Sequence, residues 1–367
     1  MKLKVCHITT AHQINDVRIF IKECTSLAKE GHEVCLVSTG THDQTINQVS
    51  IVNAGTRSAS IIGRMTVDVC KVFIKALQQK SIIYHFHDPE CLFIGLLLRL
   101  FGKKVIYDVH EDLPRQILSK PYIPKKARNV IAYIMEVVEN TISIFLSGII
   151  TATPHIRKRF EVINTNTIDV NNYPIVDEFL DINPNWDIKE NTICYVGGIT
   201  RVRGIIELAK AAPKINANLV VAGSILEDDT KNEIQNIPGS NEIRFMGQID
   251  RIGVIEVYKN SKIGVVTLHP IINYVDSLPV KMFEYMAAGL PVVCSDFPLW
   301  NEIVVKNRCG KSVDPNSPED IAVVVNEILN NGNEAIEMGK RGRELVLSNY
   351  NWNIEEKKLI QFYKNFT

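Results

Sequence analysis

Strand and helix patterns alternate along almost the whole chain, and twice the series opens in the same way, with a short apolar strand, a turn suited to phosphate and then a helix. The first opening is Lys4–Thr9, followed by a helix that Asp16 caps; its apolar Val17, Phe20, Ile21, Cys24, Leu27 and Ala28 keep helical spacing as far as Gly31. The second is Thr192-Ile-Cys-Tyr-Val196, then Gly197-Gly198 and a helix from Gly204. Alternation of this kind calls for parallel strands joined by crossover helices, so the fold class is α/β. At 367 residues the chain is too long for one average core, and the two openings predict two Rossmann-like domains. Open sheets bind ligands beyond the carboxyl ends of their strands, so the two domains are expected to face a central cleft.

The first domain is placed at 1–173, with further strands at Glu33–Ser38, Ile82–His87, Lys104–Val109 and Gly148–Ala152 and helices near 66–80, 89–101 and 125–146. Residues 174–190, rich in Asp, Asn and Pro without a periodic pattern, read as a linker. The second domain, 191–350, continues with strands near Ala217–Ala222, Ile243–Met246 and Ile263–Leu268. Residues 351–367 hold an amphipathic helix expected to pack back onto the first domain.

The net charge is zero but unevenly divided: residues 1–175 carry 21 Lys and Arg against 15 Asp and Glu, so the first half is basic and the second acidic. Arg99, Lys103, Lys104, Arg115, Lys120, Lys125, Lys126 and Arg128 supply much of the excess, a face suited to anionic lipid headgroups or a phosphate-linked acceptor, or simply a solvated one. Nucleic acid is not an expected partner. The eight cysteines form no C-x-x-C pair and sit mostly in apolar runs, as buried thiols of a reducing compartment do. The N-terminus reads as a strand rather than a signal peptide, and the longest apolar run, Cys91 to Phe101, contains Arg99 and is too short to span a bilayer. The expected location is the cytoplasm, at most peripheral on the inner face of the membrane.

The chemistry concentrates in Asp276-Ser-Leu-Pro-Val-Lys-Met-Phe-Glu284. Pro279 suits a first helical turn, so a helix should start near Leu278 with Asp276 or Ser277 capping it, and Gly289 and Pro291 stop it. Lys281 and Glu284 then share a face and lean toward the helix start, where free amides attract anions. A phosphate there, flanked by a lysine and by carboxylates that accept from hydroxyls, is what a nucleotide sugar requires; an ordinary capped helix with a solvated ion pair is the competing reading. Gly197-Gly-Ile-Thr-Arg-Val-Arg-Gly204 allows close backbone approach and offers Arg201 and Arg203 as forked donors to phosphate.

In the first half, Tyr107-Asp-Val-His-Glu111 ends a strand, so His110 can face a ligand. His85 and His87 share a strand face, but no third metal ligand is evident and the chain contains no Asp-x-Asp triplet, so metal-independent chemistry without a cofactor is expected. His12, Asp16 and Arg18 are candidate acceptor contacts, with Asp16 equally an N-cap. Nucleophile-elbow, Walker and kinase signatures are absent, which removes those classes.

Taken together, His87-Asp-Pro89, Tyr107-Asp-Val-His-Glu111, Tyr195-Val-Gly-Gly198 with Arg203-Gly204, and Lys281-Met-Phe-Glu-Tyr-Met-Ala-Ala-Gly-Leu-Pro-Val-Val293 resemble family 4 retaining glycosyltransferases of the GT-B fold. The resemblance implies transfer of a hexose from a nucleotide diphosphate sugar, with retention, to a glycan or lipid-linked acceptor in surface polysaccharide synthesis. It assigns His110 and Asp276 to the reaction centre, with Asp276 where the family usually has glutamate. Gly198, Arg201, Arg203, Ser277, Leu278, Lys281 and Glu284 fall at the donor, Glu284 on the ribose hydroxyls and Arg203 at a phosphate-binding lysine's place. A nucleotide-sugar epimerase and a non-catalytic two-lobed sugar-binding protein are the rival readings.

Overall fold

A computed structural model describes residues 2–120, 123–183 and 185–366. The chain divides into two compact units, residues 1–172 with 353–367 and residues 173–352.

The sheet of the first unit contains β1 (Lys4–Ile8), β2 (Glu33–Ser38), β3 (Gln44–Ile46), β4 (Val49–Asn53), β5 (Ile83–Phe86), β6 (Lys104–Val109), β7 (Gly148–Thr151) and β8 (Thr167–Asp169). Their order is β3-β4-β2-β1-β5-β6-β7-β8, parallel throughout except the β3–β4 hairpin. The reversal of strand order falls between β1 and β5, where their carboxyl-end loops must diverge and leave a crevice. Sequence pattern misses β3, β4 and β8. The β3–β4 turn, Asn47 and Gln48, has φ of 49° and 64°, a left-handed pair that lacks the usual glycine signal.

The second unit holds β9 (Thr192–Val196), β10 (Asn218–Ala222), β11 (Arg244–Gly247), β12 (Ile263–Val266), β13 (Val292–Ser295) and β14 (Gly310–Val313). Their order, β11-β10-β9-β12-β13-β14, is all parallel and reverses between β9 and β12. Continuous burial of Thr192–Val196, Ile263–Val266 and Val292–Ser295 is what a sheet covered by helices on both faces imposes.

Residues 174–190 do not behave as a bare linker. Tyr173, Val176, Phe179 and Ile182 recur every third residue and enter the core of the second unit, and Arg343 ties the carbonyls of Phe179, Leu180 and Ile182. A spacing of three belongs to short tight turns rather than to an α-helix, so the search for helical periodicity passes over it. The last helix, Trp352–Lys364, runs into the first unit: Leu359, Phe362 and Tyr363 are buried, and Glu355 accepts from the Asn171 amide at 2.8 Å. No helix among the described residues is long and apolar enough to cross a membrane.

Candidate functional site

In the second unit the crevice lies at the carboxyl ends of β9 and β12, and two glycines decide its floor. Gly204 has φ of 73°, and a Cβ on it would sit 1.8 Å from the Thr267 carbonyl oxygen, so only glycine lets the β9 loop lie against the end of β12. Gly197 has φ of 132°, and a Cβ there would meet the Lys281 Nζ at 2.9 Å. Gly198 serves as a carbonyl ligand: its oxygen accepts from the Tyr195 hydroxyl at 2.8 Å and from Arg203 Nη1 at 3.2 Å. A Cβ on Gly198 would lie 2.7 Å from that same Nη1, so the glycine pair leaves room for Arg203 and Lys281 beside the turn.

The helix carrying Lys281 spans Val280–Ala287, later than the expected start near Leu278. The residue at the cap position is Pro279, not Asp276 or Ser277; it has no side-chain acceptor, and its carbonyl accepts from the Met282 amide at 3.0 Å. Extended backbone at Pro279 (ψ 123°) carries Ser277 two residues upstream of the cap, and its hydroxyl donates to the Tyr274 carbonyl at 2.8 Å. Ser277 also accepts from Trp300 Nε1 at 2.8 Å, Leu278 packs at the edge of the core, and Asp276 is half-buried in the same loop. The helix therefore presents a positively polarised start whose own cap residue supplies no side-chain acceptor.

Lys281 is the unusual member. Its Nζ is buried, lies 3.7 Å from the centroid of the Tyr195 ring, and has no hydrogen-bond partner among the described residues. Burial, and next the Arg203 charge, push its pKa well below the ordinary 10.5, with Glu284 acting the other way. A buried ammonium with donors to spare, beside a guanidinium and a helix start, is an anion site.

Glu284 faces the same region but is already held. Its Oε1 accepts from Arg251 Nη1 at 2.7 Å and its Oε2 from the Tyr258 hydroxyl at 2.8 Å. Arg251 also donates to Glu178; burial opposes its charge, but Glu284 and Glu178 outweigh this and raise its pKa. A carboxylate has about four acceptor positions, so two remain for hydroxyls. Sequence reasoning missed Arg251 and Tyr258, which lie 33 and 26 residues away on the helix Arg251–Asn260 and carry no local signal. It also missed the pair of His269 and Glu207, joined at 2.9 Å. Arg201 is not brought to Lys281: it is exposed, its guanidinium pairs with Glu233 and its amide donates to Glu227 at 3.0 Å.

In the first unit, Asp88 organises the loop after β1, accepting from the Thr9 hydroxyl at 2.7 Å and the Thr10 amide at 2.6 Å and pairing with His12 Nδ1 at 3.0 Å. Burial opposes the charge of both partners, yet their pairing prevails: His12 is raised and Asp88 lowered. Asp16 is the N-cap of Val17–Cys24, its Oδ1 accepting from the Arg18 and Ile19 amides at 2.9 Å each. Arg18, expected to contact an acceptor, is instead 4% exposed and forked onto Asp108, with Nε at 2.9 Å and Nη2 at 2.6 Å, while Nη1 donates to the Val170 carbonyl. Its place at the second position of the helix turns it inward, toward the carboxylate on β6.

Asp108 also meets His110 Nε2 at 2.8 Å and His87 Nδ1 at 3.0 Å. Burial alone would raise Asp108, but Arg18 first, then His110, hold it well below the usual carboxylate range, so it is ionised and both imidazole nitrogens donate to it. His110 Nε2 is thereby held on Asp108, on a side chain 19% exposed. Sequence reading found no third partner for His85 and His87; strand register supplies one, since His7 on β1 lies opposite His85 on β5, and Glu23 closes the group. The potential ligand atoms of these four residues lie within 4.8 Å of one another. Burial lowers the pKa of all three histidines, that of His87 to about 4, and raises that of Glu23.

Each unit thus has the Rossmann-like form from which GT-B glycosyltransferases are built, and the second has an anion-seeking crevice at its switch point. Residues 177–345, which lie within the second unit, match the family described as Glycosyl transferases group 1. The chain is 27% identical over 201 residues, half of each chain, to an uncharacterized glycosyltransferase, MJ1607, of Methanocaldococcus jannaschii, so the match spans about half the length of that relative. Among solved structures it is similar to the sucrose-phosphate synthase of Thermosynechococcus elongatus, with TM-score 0.78, 19% identity and 99% of both chains covered. It is also similar to Anabaena HepE, solved with UDP and glucose, with TM-score 0.75, 11% identity and 99% and 100% of the two chains covered.

Proposed function

We propose that this chain transfers a hexose from a nucleotide diphosphate sugar to a glycan or lipid-linked acceptor, with retention and without a metal, in surface polysaccharide synthesis such as that of O-antigen or capsule. The observation that carries the reading is the buried Lys281 ammonium, which has no hydrogen-bond partner among the described residues, next to Arg203 and a helix start whose cap residue, Pro279, offers no side-chain acceptor. A diphosphate satisfies all three. Glu284, held by Arg251 and Tyr258, accepts from the ribose hydroxyls with its remaining lone pairs. Leaving-group charge is met by donors already in place, the term that dominates many enzymatic rate enhancements.

In the transfer itself the bond from the anomeric carbon to the phosphate oxygen breaks as the acceptor oxygen bonds that carbon on the same face. The acceptor proton passes to the departing phosphate, so no side-chain nucleophile is invoked. His110 and Asp276 are assigned to the transferred sugar, His110 through Nδ1, the ring nitrogen that is not bonded to Asp108. The Asp276 arm is one methylene shorter than glutamate, which makes the sugar contact specific to this chain. Soluble protein acting at the inner face of the membrane completes the reading.

The test is a panel of UDP, GDP and ADP sugars, read by mass spectrometry with lipid-linked and free acceptors. A glycosylated acceptor that keeps the donor's anomeric configuration is the expected result. Donor isomerised without acceptor would establish an epimerase, and binding without turnover a sugar-binding protein; either outcome overturns the proposal.

A further inference from the structure

The first unit leaves two helices apolar on the side that faces water. Leu92–Leu100, of sequence LFIGLLLRL, buries Leu92, Ile94 and Leu98, yet Phe93 (63% exposed), Leu97, Leu100 (75%) and the following Phe101 remain at the surface. These four recur at intervals of four, three and one, a single helical stripe. Lys125–Phe145 behaves likewise: Ala132, Glu139, Ile142 and Ser143 are buried, while Val130, Tyr133 (70%), Ile134, Val137, Ile144 and Phe145 are exposed. A soluble helix puts its polar face outward; here the outward face carries the apolar side chains.

The two stripes are joined. Arg99 donates through Nε to the Phe145 carbonyl at 2.8 Å and through Nη1 to the Lys103 carbonyl at 2.6 Å, so the end of the long helix is tied to the loop after Phe101. Large apolar side chains exposed together along two hydrogen-bonded helices are the kind of surface that marks an interaction site.

Charge decides what covers it. Lys125 and Lys126 are exposed at one end of the long helix, and Arg99, Lys103 and the exposed Lys104 lie at the other. The acids of the long helix are engaged elsewhere: Glu136 accepts from Arg115 at 2.6 Å, and buried Glu139 accepts from the Tyr107 hydroxyl and pairs with Arg159. An apolar stripe with lysines at both ends and its acids neutralised matches an anionic bilayer surface, where aromatic and aliphatic side chains enter the acyl boundary and lysines meet the headgroups.

We infer that the face formed by Phe93, Leu100, Phe101, Tyr133 and Ile134, bordered by Lys125 and Lys126, seats the first unit on an anionic lipid surface. This deepens the membrane contact in the proposed function by naming the surface, and vesicle binding needs neither donor nor acceptor. Its failure would therefore leave the transfer reading standing, and failure of transfer would leave this one standing.

The full chain is sedimented with vesicles of phosphatidylcholine alone and of phosphatidylcholine mixed with phosphatidylglycerol. Binding is expected to the mixed vesicles and to weaken with salt. Lys125→Glu with Lys126→Glu should weaken it by more than about twenty-five-fold, since each lysine contributes roughly fivefold near such a surface. Phe101→Ser with Ile134→Ser should abolish it. Both variants replace exposed side chains, and unchanged thermal melts establish that they are folded. No binding, equal binding to both lipids, or a dimer in light scattering that the apolar variant dissolves would each overturn the inference.

Discussion

Replacing Lys281 with methionine keeps the stem and removes the ammonium, and the structure predicts opposite effects on stability and on binding. The buried charge carries a desolvation penalty of several kcal/mol, of which the contact with the Tyr195 ring at 3.7 Å returns about 2 kcal/mol. The penalty has a ceiling, because the lysine can shed its proton. From an ordinary value of 10.5, deprotonation at pH 7 costs at most about 4.8 kcal/mol. The net cost to the unliganded fold is then about 1–3 kcal/mol. For a unit of this size about 1 kcal/mol moves the melting temperature by roughly 2–4 °C, so Lys281→Met should melt about 2–12 °C higher without ligand. Since the folded chain binds this proton more weakly than the unfolded chain, the wild type gains stability as pH rises from the depressed folded value toward 10.5, and the variant loses that slope. Nucleotide diphosphate at a hundred times its dissociation constant should stabilise the wild type by about 2.7 kcal/mol and the variant not at all. Differential scanning calorimetry with and without UDP, GDP and ADP reads both effects. A variant that melts no higher than the wild type and keeps a nucleotide shift would refute the placing of an unpaired charge at the anion site.

Glu284→Gln should reduce transfer by at least about a hundredfold and cost about 1–3 kcal/mol of stability, because Arg251 keeps only Glu178 as a charged partner; kinetics with the identified donor would show it, and near-normal turnover would count against the ribose assignment. Gly204→Ala places a methyl 1.8 Å from the Thr267 oxygen at φ of 73° and should destabilise the second unit by more than about 1 kcal/mol, measured in urea melts. The buried histidines make the first unit acid-labile. His87 falls from an ordinary 6.5 to about 4, so the unfolded chain binds the extra proton across that window and stability declines as pH drops through it, by about 3 kcal/mol for His87 alone. Urea melts between pH 7 and pH 4 that showed no decline would contradict the neutral, buried assignment.

How far the site was legible in the chain varies with distance along it. The Gly197–Gly204 turn, Lys281 and Glu284 are local signals, and their chemistry follows from residue type and helical spacing. Arg251 and Tyr258, which hold Glu284, reach it from another helix. Arg18 looks like a loop cation in sequence and proves to be buried against Asp108, 90 residues on. Asp16 needed only its place before a helix to be recognised as a cap. His7 lies opposite His85 through strand register alone, and pairing between β1 and β5 is invisible to any local window.

The sequence by itself determined the alternation of strands and helices, hence parallel sheets, and it located both crevice loops, because periodicity and turn chemistry are properties of neighbouring residues. Tertiary structure decided which charges are spent. It placed Arg18 on Asp108 and Arg201 on Glu233, and it left the Lys281 ammonium buried with no hydrogen-bond partner among the described residues. The reason is electrostatic: a charge acquires its role from burial and from the partner within reach, and both are settled only when distant segments pack.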